Sequence, residues 1–263
     1  MQYNGSSGMI HRIPGTMVRQ AVRGKGGAVQ FDTSEDLCKW VAEESNGVCL
    51  LSFSGGKDSW NCWLQLRKFF RRIIPVYMYL IPGLEFVENG LRQAEDVMGT
   101  HIYRMPHPAL YRMLDALVFQ PPERWPIIYE LNLPQYRFDE LFALVKMQEG
   151  LPPETYTAVG VRAVDNPTRW ASVQKYGPLN TKRHQFYPIF DYRKDRVISE
   201  LVKAGIKLPV DYKWFGRSFD GLDWRFLHVI KTRAPKDYAR ILEWFPLADL
   251  EVLRIQYRED YFS

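Results

Sequence analysis

One hexapeptide combines residue types and spacing suited to holding an anion. Residues 54–59 read Ser-Gly-Gly-Lys-Asp-Ser and join the apolar run 48–53 to a segment of helical periodicity. Two adjacent glycines lack Cβ atoms, so the chain can turn sharply and bring its N–H groups against an anion. The partial positive charge at the start of a helix favours the same position. The serines add hydroxyl donors and Lys57 adds a mobile cation, so the segment predicts a phosphate-binding loop.

Two better-known glycine-rich loops fail at defining positions. A Walker A loop would need Gly at Leu51 and Ser or Thr at Asp58, and the dinucleotide pattern G-x-G-x-x-G is absent. A plain Gly-Gly turn between a strand and a helix would explain the glycines. It would leave the surrounding Ser, Lys and Asp without a reason.

The elements around the loop alternate between strands and helices. Apolar runs that favour strands cover residues 48–53, 74–81, 101–105, 156–161 and 186–190, and most of them lack period-2 alternation. Such runs are typical of a sheet buried on both faces. Apolar stripes at helical spacing lie between them, three ending at Gly99, Gly150 and Gly205. The pattern predicts an α/β, doubly wound, mostly parallel sheet with helices on both faces and ligands at the carboxyl strand ends.

Three parts are predicted along the chain: a flexible basic arm (1–35), a nucleotide-binding domain (36–210) and a small, aromatic-rich C-terminal helical appendage (211–263). Residues 120–134 contain four prolines among bulky apolar side chains. They predict a loop, which is either a lid or partner surface or a cover packed on the core.

Charge and cysteine content narrow the possible partners and compartment. The net charge is +5, and residues 1–30 contain four Lys or Arg and no Asp or Glu. This arm is suited to phosphates of nucleic acid or of a nucleotide, or else it is a solvated tail. The chain shows neither a signal-peptide pattern nor a membrane-spanning run, which favours the cytoplasm and no membrane partner. Three cysteines without a C-x-x-C pair fit free thiols in a reducing compartment.

The hexapeptide resembles the loop of the PP-loop ATP pyrophosphatase superfamily, the adenine nucleotide α-hydrolases. Residues 36–205 resemble its phosphoadenosine phosphosulfate (PAPS) reductase branch, which also includes the small subunit of ATP sulfurylase. Residues 82–86, Pro-Gly-Leu-Glu-Phe, are similar to the branch's turn after the second strand, with Pro in place of Thr. Residues 160–162, Gly-Val-Arg, and 187–191, Tyr-Pro-Ile-Phe-Asp, are similar to two later segments of the branch.

The resemblance implies that ATP lies across the strand ends, with pyrophosphate in the loop. A nucleophile then attacks the α-phosphorus. The implied catalytic residues are Lys57, Asp58 and Arg162, and Asp58 would also hold Mg²⁺. The implied nucleotide-binding residues are Ser52, Phe53, Ser54, Gly55, Gly56, Lys57, Asp58, Ser59, Tyr79, Leu80, Gly160, Arg162 and Arg169.

Arg162 also has a physical case of its own. An arginine at a carboxyl strand end offers a two-pronged donor for phosphate or sulfate, and Asp165 is placed to orient it. For Arg162 and for Arg169, the alternative to ligand binding is a salt bridge at the protein surface. Asp191 is most simply the N-cap of the next helix rather than a catalytic group.

One departure from the branch limits the reaction. PAPS reductases use a C-terminal catalytic cysteine, and this chain has no cysteine after Cys62. We therefore expect an enzyme that cleaves ATP at the α-phosphate to an adenylylated acceptor, or AMP, and pyrophosphate. It would act in nucleic-acid modification or sulfate activation. The alternative is a non-catalytic or partner-dependent nucleotide-binding subunit, and an authentic PAPS reductase is the weakest option.

The expected cofactors are ATP and Mg²⁺, with no iron–sulfur cluster or zinc. The expected partners are an adenine nucleotide, nucleic acid through the basic arm, and a partner protein or a second copy of the chain.

Overall fold

The computed structural model describes residues 31–262, without the side chains of 256 and 258–262. Residues 1–30 of the predicted basic arm lie outside the described residues. In chain order the strands are Val48–Ser52 (β1), Arg72–Tyr79 (β2), Tyr103–Pro106 (β3), Thr157–Ala158 (β4), Leu179–Asn180 (β5) and Gln185–Phe186 (β6). The helices are Ser34–Glu44 (α1), Lys57–Leu66 (α2), Glu85–Met98 (α3), Pro108–Asp115 (α4), Trp125–Glu130 (α5), Phe138–Gln148 (α6), Pro167–Tyr176 (α7), Lys194–Lys203 (α8), Val210–Phe215 (α9), Trp224–Arg233 (α10), Pro235–Trp244 (α11) and Asp249–Phe262 (α12).

The six strands form one sheet in the order β3-β2-β1-β4-β6-β5. Four of the five pairings are parallel, and β5 pairs with β6 antiparallel. The switch point lies at β1, since the chain passes from β1 to β2 and β3 on one side and returns to β4 on the other. The carboxyl end of β1 is therefore the place where an α/β sheet of this kind offers a crevice.

Both faces of the sheet are covered, because residues of a strand point alternately to opposite sides. Cys49 and Leu51 of β1 pack into a large core with α1, α2, α3 and α8. Val48 and Leu50 pack into a smaller core against α6. The mostly parallel sheet with helices on both faces confirms the predicted fold class.

The C-terminal helices pack against the edge of the sheet where β2 ends. A third core joins Leu80 and Leu84 to Phe219, Phe226 and other residues of the helices that follow. The buried carboxylate of Asp237 accepts the first two N–H groups of α3, at 2.6 and 3.1 Å. These helices are present as expected, while the division of the chain into domains stays a prediction.

Several local predictions were wrong. Residues 120–134 are not a plain loop but contain α5, because proline fits the first turn of a helix. One side packs on the fold, since the Gln120 amide donates to the Trp244 carbonyl at 2.7 Å. The strands β4 and β6 have two residues each instead of five or six, and β5 was not predicted.

Asp191 does not cap α8, because that helix begins three residues later and has Arg193 as its N-cap. Its carboxylate instead accepts the main-chain N–H of Ser34 at 3.2 Å and the Ser34 hydroxyl. The residue therefore anchors the first turn of α1 to the segment after β6. Separately, none of the helices in residues 31–262 has the length and apolar character needed to cross a membrane.

Candidate functional site

The predicted phosphate loop lies between the carboxyl end of β1 and the first turn of α2. Gly56 is the N-cap residue of this helix. Gly55 has a φ of +73°, a left-handed conformation that glycine adopts without strain. The Ser59 hydroxyl donates to the Gly56 carbonyl at 2.9 Å and closes the turn. Because the first N–H groups of a helix have no partner within the helix, this turn offers donors to an external acceptor.

Two hydroxyl groups from the C-terminal part of the chain lie against the same turn. The main-chain N–H of Lys57 donates to Tyr212 Oη at 3.2 Å. A Cβ at Gly56 would lie 2.9 Å from both Tyr212 Oη and Ser218 Oγ, so a side chain at this position would have to displace these two hydroxyls. The phenol oxygen accepts a hydrogen bond that an anion at the helix N-terminus would otherwise accept.

A buried carboxylate holds the segment that carries these hydroxyls. Asp211 accepts the main-chain N–H groups of Tyr212 at 2.9 Å and Phe219 at 3.1 Å. Burial raises the pKa of Asp211 above its ordinary value, while the hydrogen bonds oppose that shift. Just before it, Pro209 packs so closely on α3 that a Cβ at Gly90 would lie 2.8 Å from the proline Cβ. The segment 209–219 is therefore fixed against both α3 and the loop.

An ionic chain runs from the loop to the segment after β4. Asp58 Oδ1 lies 3.2 Å from Arg162 Nε, and Asp58 Oδ2 lies 3.7 Å from Lys57 Nζ. Arg162 Nη2 donates to Asp165 Oδ1 at 2.6 Å, and Arg169 Nη1 donates to Asp165 Oδ2 at 2.6 Å. Arg162 is 7% exposed. Its ion pairs are therefore buried, and the alternative of a surface salt bridge does not hold for Arg162. Arg169, by contrast, forms its ion pair near the surface.

Two donors of this ionic chain have no hydrogen-bond acceptor. Among the residues that the structure describes, Arg162 Nε and Nη1 are buried without a hydrogen-bond partner. An unsatisfied buried donor costs about 1–3 kcal/mol. A ligand oxygen placed beside Asp58 would remove that cost. The geometry is therefore suited to an anion bound between the start of α2 and Arg162.

The remaining predicted residues divide into two groups. Gly160 lies against the loop helix, since a Cβ there would be 3.5 Å from the Asp58 carbonyl carbon. Phe53 is buried and donates its N–H to the Val76 carbonyl at 2.9 Å. Tyr79 and Leu80, by contrast, end β2 under the C-terminal helices, and Leu80 belongs to their core. No local sequence pattern indicates that this strand end is covered.

A cleft of about 670 Å³ opens beside Lys57 and was not predicted. Its wall combines apolar groups of α8, such as Ile198 and Val202, with the polar side chains Asn89 and Gln93 of α3. The volume is in the range of small-molecule sites. The cleft arises from the packing of distant segments, so no local pattern marks it.

The three cysteines are free and buried. Burial raises the pKa of the Cys38, Cys49 and Cys62 thiols well above the ordinary value. Thiolates are therefore strongly disfavoured at these positions, and the side chains pack as small apolar groups.

No family model matches the chain, and no curated protein matches it. Among solved structures, the chain is similar to the U34-tRNA thiolase NcsA from Methanococcus maripaludis with its 4Fe-4S cluster. The two share 14% sequence identity, and the match has a TM-score of 0.41 and covers 82% of this chain and 79% of that one. The assignment to the PAPS reductase branch stays a prediction.

The cofactor prediction was ATP and Mg²⁺ with no iron–sulfur cluster or zinc. Its exclusion of a cluster was wrong and is withdrawn, because the similar solved structure carries one. Cysteine spacing in a sequence does not determine which thiols meet in space, so spacing is a weak basis for such an exclusion. The described residues of this chain nevertheless contain no group of three or more His, Cys, Asp or Glu able to hold a metal ion.

Proposed function

We propose that this protein binds ATP with its pyrophosphate portion in the loop at residues 54–59 and transfers the adenylyl group to an acceptor. One observation carries the proposal: the start of α2 lies beside a buried arginine that has two donors without a hydrogen-bond partner. Arg162 Nε is 3.2 Å from the loop's Asp58, and Nη1 has no partner among the described residues. Main-chain and guanidinium donors at one point are typical of phosphate binding.

The proposed reaction displaces pyrophosphate. An acceptor oxygen forms a bond to the α-phosphorus while the bond to the bridging oxygen of the β-phosphate breaks, and its electron pair leaves with pyrophosphate. With water as the acceptor the product is AMP. Such a transfer depends on positioned positive groups around the leaving oxygens. Lys57, Arg162 and the loop N–H groups would serve this role, and no side chain bonds to phosphorus.

The acceptor is not specified by the loop. A nucleic acid and sulfate are both compatible with the resemblance to the PAPS reductase branch. The proposed compartment is the cytoplasm, which the three free thiols favour.

The test is to incubate the purified protein with ATP and to separate the products. We expect AMP and pyrophosphate rather than ADP and phosphate, and we expect Lys57→Ala to abolish pyrophosphate release. The Lys57 side chain is 34% exposed, and among the described ion pairs its Nζ contacts only Asp58, at 3.7 Å. The variant should therefore melt at nearly the same temperature as the parent.

Lys68→Ala is the matched control, since Lys68 lies just beyond the opposite end of the same helix and bonds Gln65 at 3.2 Å. It removes an equal charge far from the loop and should leave pyrophosphate release unchanged. Unchanged release in Lys57→Ala, or ADP as the product, would contradict the proposal.

A second candidate is a nucleotide-binding subunit that needs a partner protein. The observation that favours it is the exposed apolar surface on and after α5. There Ile127 is 60% exposed, Tyr129 88% and Leu131 61%. Adjacent exposed apolar side chains of this size often mark a protein interface. The two candidates differ in one result: the subunit alone would bind ATP, lose that binding in Lys57→Ala, and release no pyrophosphate.

A further inference from the structure

Among the described residues, the excess of positive charge is concentrated in one stretch that follows β4. Residues 162–207 contain ten Lys or Arg and four Asp or Glu. Residues 31–161 and 208–263 together contain 21 Lys or Arg and 26 Asp or Glu. The rest of the described chain is thus acidic on balance. An excess of this kind in one region is what a polyanion would recognise.

The sheet topology places part of this stretch beside the loop. The loop, the start of α7 and the start of α8 follow three neighbouring parallel strands, β1, β4 and β6. Their first turns therefore lie at the same edge of the sheet. The Ala163 N–H donates to the Phe190 carbonyl at 2.8 Å, which joins the segments that lead into α7 and α8. The ionic chain from Asp58 to Arg169 then links the loop to this edge.

Five exposed side chains mark this edge, and we call them the basic edge surface: Arg169, Trp170, Arg193, Lys194 and Arg196. The Trp170 side chain is 55% exposed. Burying its large apolar ring against a partner would be favourable. An exposed aromatic ring among arginines and lysines is the combination used to bind unpaired bases and the phosphates that join them.

Nearby carboxylates neutralise only part of this charge. Asp165 is shared by Arg162 and Arg169, and Asp191 accepts from Ser34. Asp195 is the acidic neighbour of Lys194 in the first turn of α8. Among the described residues, Arg193 and Lys194 form no ion pair with any carboxylate within 4.0 Å. Their charges are therefore available to a ligand.

We propose that the basic edge surface binds single-stranded nucleic acid, with one base stacked on Trp170 and phosphates on Arg193 and Lys194. The strand would be the acceptor of the adenylyl transfer, and that role rests on the function proposed above. The binding itself does not depend on it, since the surface lies beside the loop rather than in it.

The test measures the affinity of the full chain for a fluorescein-labelled single-stranded oligonucleotide of about 16 nucleotides, by anisotropy over a range of salt concentrations and without ATP. We expect Trp170→Ala to weaken binding about tenfold at fixed salt, from the loss of one stacked base. We expect R193A/K194A to reduce the slope of log affinity against log salt by about 1.4, since each lost phosphate contact on a single strand contributes about 0.7.

The matched control is R233A/K236A, which removes the same charge from exposed positions around the junction of α10 and α11. It should keep the parent's slope and affinity. An equal loss in this control would mean that binding follows net charge alone, and parental affinity in both surface variants would mean that the strand binds elsewhere. Either result overturns the proposal, as does no binding at low salt.

Because ATP is absent, these outcomes are independent of whether the loop cleaves ATP. If the protein binds the oligonucleotide as expected but releases no pyrophosphate, the result supports the proposed nucleic-acid surface and contradicts the proposed adenylyl transfer.

Discussion

The contact between Tyr212 and the loop leads to a prediction about nucleotide binding. It tests whether the Tyr212 phenol competes with a phosphate for the Lys57 N–H or assists phosphate binding. Tyr212 Oη accepts the Lys57 N–H at 3.2 Å. A phosphate oxygen bound at the start of α2 would need that same N–H. If ATP binds there, the phenol must first withdraw, and its hydrogen bond is lost before the phosphate bond forms.

The magnitude follows from a single hydrogen bond. A bond between protein groups contributes about 0.5–1.5 kcal/mol to stability. Tyr212→Phe removes this bond from the nucleotide-free protein, and the bound protein has already lost it. We therefore expect the variant to be about 1 kcal/mol less stable without nucleotide. Since 1.4 kcal/mol corresponds to a tenfold change in affinity, it should bind ATP about fivefold more tightly.

The assay is isothermal titration calorimetry with ATP, combined with urea unfolding of the nucleotide-free protein. Tyr192→Phe is the control, because Tyr192 Oη donates to Gln65 Oε1 at 3.0 Å in the buried core and does not touch the loop. It should lose similar stability without a gain in ATP affinity. If Tyr212→Phe binds ATP as the parent does, or more weakly, the phenol does not compete with the phosphate and the reasoning fails.

Two further predictions concern the framework of the site. Asp237→Asn should destabilise the protein by about 1 kcal/mol in urea unfolding, because the carboxylate that accepts the Glu85 and Phe86 N–H groups loses its charge at the N-terminus of α3; an unchanged midpoint would contradict this role. The pKa of Glu95 is lowered from 4.5 to about 2, chiefly by its hydrogen bond from Arg104. Its stabilisation is thus fully present above pH 4.5 and is lost as the pH falls through about 2. Glu95→Gln should cost about 1 kcal/mol near neutral pH, after solvent screening, and progressively less as the pH falls through about 2; a cost that does not decline with acid would refute the ionic origin.

The parts of the site that could be predicted from sequence are local in the chain. The turn at Gly55 and Gly56 and the start of α2 depend on neighbouring residues, so the hexapeptide indicates them directly. The helix ending at Gly99 was equally clear, since that glycine has a φ of +65° and its N–H bonds the Glu95 carbonyl at 2.8 Å. Arg162 follows the end of β4 by four residues, and its expected roles in binding and catalysis stay predictions.

The parts that could not be predicted depend on contacts between distant residues. Tyr212 is 155 positions from Lys57, and Asp191 is 157 positions from Ser34. The sequence around each side chain suggests a local role, as an aromatic residue of a helix or as an N-cap. In the structure each side chain instead accepts a hydrogen bond from an element far away in the chain. Short strands were missed for a related reason. Two-residue pairings such as β5 with β6 carry no periodic pattern and form only because neighbouring strands hold them in register.

These distant contacts also determine how the loop can open. Asp211 accepts the main-chain N–H groups of Tyr212 and Phe219, whereas the Lys57 N–H of the loop donates to the Tyr212 side chain. A change of the Tyr212 rotamer therefore frees the Lys57 N–H while both bonds to Asp211 stay intact. Side-chain rotations of this kind need no unfolding of a helix. The C-terminal segment can thus stay packed against α3 while the position of the Tyr212 ring determines whether the Lys57 N–H is available to a phosphate.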